Sequence, residues 1–123
     1  MKQFVYLISS ILILVIDSIY LNFFKSYFAN QVKLVQKSTM QINISGVLLS
    51  YLFIIFGFNY FVVGFKMNLS ESFLLGLVIY GIYEATNLAI LKNWKILSVI
   101  IDTIWGGLLF LITNYLLKLI KLN

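Results

Sequence analysis

The chain has 123 residues, 62% of them hydrophobic and 11% charged, with a mean hydropathy of +1.01. Globular chains carry about a quarter charged residues, and a chain this apolar could not cover its surface with polar groups in water, so a soluble domain is excluded. The formal net charge of +5 rests on nine lysines scattered at segment ends, which argues against a nucleic-acid partner, while the lack of histidine and cysteine removes disulfides and the usual ligands of zinc and haem.

Four apolar stretches of spanning length follow one another, roughly residues 4–24, 45–65, 72–91 and 96–117. Each has about 20 residues, which at about 1.5 Å per residue matches a hydrocarbon core of about 30 Å. The runs lack the apolar/polar alternation of barrel strands, and the chain has no proline to kink a helix. An all-α integral membrane bundle of four antiparallel transmembrane helices is therefore expected, with residues 1–123 as a single domain.

The first stretch begins after Lys2 in the manner of a signal peptide. Its length, Asp17 inside it and the want of an A-x-A-like site predict that it is retained. Residues 25–44 make the one long connection, with Val32, Leu34 and Val35 among Lys25, Lys33 and Lys37. Such a segment fits a short amphipathic helix on the headgroups, and equally a solvated basic loop. In the second stretch Gly46, Ser50, Gly57 and Gly64 share one helical face, the pattern membrane helices use for close packing.

Next comes a short turn in which Asn68 and Glu71 have the spacing of a capping box. Asn43-Ile44-Ser45 and Asn68-Leu69-Ser70 match a glycosylation pattern but lie hard against the bilayer on opposite sides, and both are discounted. Lys92-Asn93-Trp94-Lys95 forms another tight turn with Trp94 as an interfacial anchor. Lys2, Lys66, Lys118 and Lys121 fall on one side, Lys25, Lys33, Lys37, Lys92 and Lys95 on the other. That near balance sets no orientation under the positive-inside rule.

Three of the four acids, Asp17, Glu84 and Asp102, fall inside the apolar stretches, and no lysine lies there to pair with them. Each ionised carboxylate near the bilayer centre costs at least about 2.5–3.5 kcal/mol. Counting residues places all three in the same half of the membrane, on the side of the first and third loops, roughly 4–7 Å from the midplane. Polar neighbours recur at helical spacing: Tyr80, Glu84 and Asn87 on the third stretch, Ser98, Asp102, Trp105 or Gly106, and Thr113 on the fourth, Ser10, Asp17 and Tyr20 on the first. These stripes predict a polar pocket lined by the first, third and fourth spans, with the second packing through its small residues.

The stretch YGIYEATNLAILKNW, followed by IDTIWGG, resembles the signature of the DUF2177 family of small predicted membrane proteins, Y-G-x-Y-D-x-T-N-L-A-x-L-x-x-W and then V-D-x-x-W-G. IDSIYL around Asp17 is similar to that family's first-helix D-x-x-x-L, so the likeness covers nearly the whole chain. Tyr80, Gly81, Tyr83, Thr86, Asn87, Leu88, Asp102, Trp105 and Gly106 occupy motif positions, whereas Glu84 replaces an Asp and Lys95 stands where proline often follows the tryptophan. The resemblance implies four helices and these candidate positions, and it supplies no activity.

The candidate pocket is Asp17, Tyr80, Tyr83, Glu84, Thr86, Asn87, Asp102 and Trp105. Three readings compete for it. Burial disfavours the charged form of a carboxyl group, so neutral acids hydrogen-bonded across helices would serve as structural glue. Intramembrane acids without cationic partners are also the usual material of a proton or small-cation site in a transporter, channel or sensor, and this is the leading functional reading. The third is a membrane-embedded enzyme on a lipid-like substrate, with carboxyls as acid, base or Mg²⁺ or Mn²⁺ ligand. A structural or lipid-binding accessory subunit completes the alternatives. No nucleophile motif or phosphate-binding glycine loop accompanies the acids, so no catalytic residue and no cofactor is assigned. Beyond the lipid bilayer, a homo-oligomer is compatible with four short helices that enclose little volume.

Overall fold

The computed structural model describes residues 2–123, which form α1 (Lys2–Phe23), α2 (Lys25–Gln36), α3 (Ile44–Gly57), α4 (Leu69–Ile90) and α5 (Ile96–Leu119). A π-helical stretch, Phe58–Val63, prolongs α3 without a break. Four helical segments, Gln3–Phe23, Ile44–Val63, Leu69–Ile90 and Ile96–Leu119, are long and apolar enough to cross a membrane. The protein is an all-α integral membrane protein, and Ile19, Phe53 and Ile90, each about two-thirds exposed or more, face outward, where lipid can cover them.

Local chemistry sets the boundaries. The Asn43 side chain accepts from the Gly46 amide at 3.1 Å to start α3. At α4, Asn68 accepts from the Glu71 amide at 2.8 Å while Glu71 accepts from the Asn68 amide at 2.9 Å, the reciprocal box that the spacing predicts. That box starts the helix at Leu69, three residues before the expected 72. Lys37, Lys66 and Asn93 adopt positive φ at the turns, with the Lys37 amide closing α2 onto the Lys33 carbonyl.

The tightest pair is the α4–α5 hairpin. A Cβ on Gly76 would run into the Gly106 carbonyl, and one on Gly107 would meet the Phe73 ring at 2.6 Å. Small residues here allow two backbones to touch, the close approach that packing in lipid exploits. Helix α1 lies antiparallel on α5: Asp17 faces Trp105, Tyr20 faces Asp102, and a turn further Ile13 and Leu109 are fully buried in one core cluster. The π-helical stretch closes that core with Phe58 edge-on to Phe110, centroids 5.3 Å apart.

The second span departs from expectation. Its small residues do not form the packing face: nothing lies within 4 Å of a Cβ at Gly57, and Gly46 and Gly64 are exposed. The buried ridge is Phe58, Asn59 and Val62 instead, oriented by Ser9 Oγ donating to Asn59 Oδ1 at 2.5 Å. One buried polar pair and an aromatic contact fix the rotation of this segment, and both depend on side chains of other helices. The small residues that do bring backbones together lie on α4 and α5.

Helix α2 settles the reading of the long connection in favour of a helix. Its single buried residue, Gln31, faces the α4–α5 turn. Gln31 Nε2 donates to the Asn93 carbonyl at 3.0 Å, and its Oε1 accepts from the Lys95 amide at 3.0 Å and from Ser98 Oγ at 2.5 Å. A Tyr27–Ser98 hydroxyl pair at 3.0 Å adds a second tie. The lysines remain on the exposed side.

Candidate functional site

Helix lengths bring the acids to one level. Asp17 lies six residues before the end of α1 at Phe23, Glu84 six before the end of α4 at Ile90, and Asp102 six after the start of α5 at Ile96. These three ends face the same side, so each carboxyl-bearing residue sits about 9 Å inside the helix ends at helical rise. Asp17 and Glu84 are buried, and Asp102 is half-buried.

Each acid has aromatic donors. Asp17 Oδ1 accepts from Trp105 Nε1 at 2.8 Å, and its Oδ2 accepts from the Tyr51 hydroxyl. Asp102 Oδ1 accepts from the Tyr20 hydroxyl at 2.9 Å. Glu84 Oε1 accepts from Trp94 Nε1 at 2.9 Å, and its carboxyl group lies close to that of Asp102. Tyr20 stacks flat on Trp105, ring centroids 4.5 Å apart and planes 1° from parallel, and lies within electrostatic reach of all three acids. The partners are thus neutral indole and phenol groups, which donate a hydrogen bond without supplying a countercharge.

This arrangement follows from the antiparallel packing of α1 and α5. Asp17 and Tyr20 are three residues apart on α1, Asp102 and Trp105 three apart on α5. Each pair presents an acid and an aromatic donor on one face, and reversal of direction sets each acid against the other helix's donor. Two such bonds cross the same interface within one turn.

The remaining candidates divide. Tyr80 packs against Gly106 and lies within reach of Asp17 and Asp102. Asn87 Nδ2 and Thr103 Oγ1 are buried without a hydrogen-bond partner, Asn87 one turn beyond Glu84 and Thr103 next to Asp102. Tyr83 is 59% exposed at the rim of a cleft, and Thr86 is exposed with its hydroxyl donating to the Ile82 carbonyl at 2.7 Å.

Two donors escaped the sequence reading. Tyr51 lies on the second span, which was not expected to line the pocket, and no spacing rule links it to Asp17. Trp94 reads as an interfacial anchor, yet its N–H turns inward to Glu84. Tyr20 was placed on the right face of its helix, but nothing in the sequence names Asp102 as its partner.

Between α1, α3 and α4 runs a cleft of about 450 Å³ with Asp17, Asp102, Tyr20 and Tyr80 among its walls and Phe53, Ile79 and Leu21 nearer the outside. It exists because α3 leans on α1 and barely touches α4. Among the described residues, no three acidic side chains are grouped so as to hold a metal ion.

No curated protein and no solved structure matches the chain significantly. A family model described as predicted membrane protein (DUF2177) matches residues 3–116. That match spans nearly the whole sequence and takes in all but the last three residues of the four helices able to cross a membrane, and the chain belongs to the DUF2177 family.

Proposed function

We propose that the chain works as one four-helix transmembrane domain whose buried carboxyl cluster binds protons or small cations. The observation that carries this reading is the gathering of Asp17, Glu84 and Asp102 at one depth, with tyrosine and tryptophan as their hydrogen-bond donors. A carboxylate held by a lysine or arginine is already neutralised. One held by neutral donors still attracts positive charge, and a desolvated setting strengthens that attraction. Asp17, Tyr80, Glu84, Asn87, Asp102 and Trp105 are the residues assigned to the site, with the three acids as titrating ligands and Trp105 and Tyr20 as their positioning donors.

The hydrogen bonds favour a second reading, in which the acids are glue between α1, α4 and α5. Proton and cation flux in proteoliposomes separates the two, with wild type compared to Asp102→Asn and Glu84→Gln across pH. A binding or permeation site predicts flux in wild type that either folded variant loses. No flux in wild type, together with loss of thermal stability in both variants, means glue.

A further inference from the structure

The cleft differs from a metal-ion site in size, wall chemistry and access. Its volume of about 450 Å³ falls in the range of small-molecule pockets, about 300–1,000 Å³, and far exceeds one ion. Asp17 and Asp102 line its inner part, but they and Glu84 are not grouped to encircle a metal. Farther out, Leu21 is 48% exposed, Phe53 68% and Ile79 37%.

Ser50, six residues into α3, is at the same level as the acids, so the mouth opens within the membrane-crossing part of the bundle. Hydrocarbon lies outside it rather than water.

We propose that this cleft binds a lipophilic organic ammonium ion that enters sideways from the bilayer. The ammonium group sits against Asp17 and Asp102, and the alkyl chain leaves past Phe53 and Ile79. Charge complementarity selects the head: two acids without a basic partner favour a cation and repel a phosphate or carboxylate. The rings of Tyr80 and Tyr83 on the cleft wall offer cation–π contact. The apolar outer walls select the tail, at about 0.8 kcal/mol per buried methylene. This inference rests on the cation-binding reading and names the ligand class for it.

The test is equilibrium binding of radiolabelled n-octylammonium to wild-type protein in nanodiscs at neutral pH, with empty discs subtracted. Octan-1-ol and methylammonium serve as the tail-only and head-only probes. Saturable octylammonium binding is expected, with no saturable octanol component and methylammonium at least about tenfold weaker, since seven methylenes are lost. Asp102→Asn should weaken octylammonium at least about tenfold, the size of one desolvated charge contact. Ser50→Phe should do the same by filling the cleft from an exposed position that holds none of the acids, and Ser50→Ala should bind as wild type. Wild type without saturable octylammonium binding, or Ser50→Phe with undiminished affinity, overturns the proposal. Flux that still depends on Asp102 in that case leaves the proton or small-cation reading standing. Failure of both removes the pocket from function altogether.

Discussion

Tyr20 carries more of the site than any acid does. Its ring stacks on Trp105, its hydroxyl holds Asp102, and Trp105 in turn holds Asp17, so one residue links both crossed bonds. Tyr20→Phe keeps the stack and removes the hydroxyl, leaving a half-buried carboxyl short of a donor. That loss should cost about 1–3 kcal/mol, the usual penalty for a buried polar group left unsatisfied. Tyr51→Phe should cost less, because Tyr51 is half-exposed and Asp17 keeps its bond from Trp105. Thermal unfolding of the two variants in detergent gives the order, and equal or reversed losses would place the weight of the cluster elsewhere. At this scale the acids were legible in the sequence because a charged side chain in an apolar run is conspicuous. Their donors were not: a tyrosine or tryptophan fits equally well in a core, at an interface or against a carboxyl, and only the rotation of its helix decides.

Two features of the elements lead to sharp contrasts. Gly76 and Gly57 are both helical glycines in membrane-crossing segments, yet one touches a neighbouring backbone and the other touches nothing. Gly76→Ala must push α4 and α5 apart and should cost about 1–3 kcal/mol through overpacking, more if the hairpin cannot adjust. Gly57→Ala should be neutral or stabilising by up to about 1 kcal/mol, since alanine is the better helix former. Reversible unfolding of the pair checks both signs, and a Gly57 variant as damaged as the Gly76 variant would mean that the second span packs through its small residues after all.

Helix α2 offers the other contrast. Gln31 spends both its amide N–H and its carbonyl on the α4–α5 turn, and the next residue after Asn93 is Trp94, the donor to Glu84. Gln31→Ala should release α2 and raise amide hydrogen exchange over residues 25–36, while exchange in the centre of α4 and α5 stays slow. Unchanged exchange in α2 would show that Gln31 is not what holds it. The alternation of lysine and apolar residues made a helix on the headgroups conceivable from sequence. Gln31 itself gave no signal, because a glutamine in a basic segment looks solvated until its partners are known.

Across the whole molecule, hydropathy and length made the four spans readable, and counting residues along them placed the acids on one level. Both rest on the bilayer, whose thickness constrains every span alike. Which helices touch was less readable. The α4–α5 and α1–α5 contacts depend on glycine placement and on the crossed acid–aromatic pairs, and the open side between α3 and α4 depends on what fails to fill it. That open side separates a sealed polar core from a pocket with an entrance. Three acids gather behind it, and infrared difference spectroscopy of the protein in lipid tests most directly whether they take up and release protons. The protonated-carboxyl stretch is followed during pH cycling in wild type, Asp102→Asn and Glu84→Gln. A reversible carboxyl band in wild type, altered by each substitution while both variants stay folded, is the expected result. A carboxyl region that stays silent across pH in wild type, with the variants losing only stability, would contradict a titrating site.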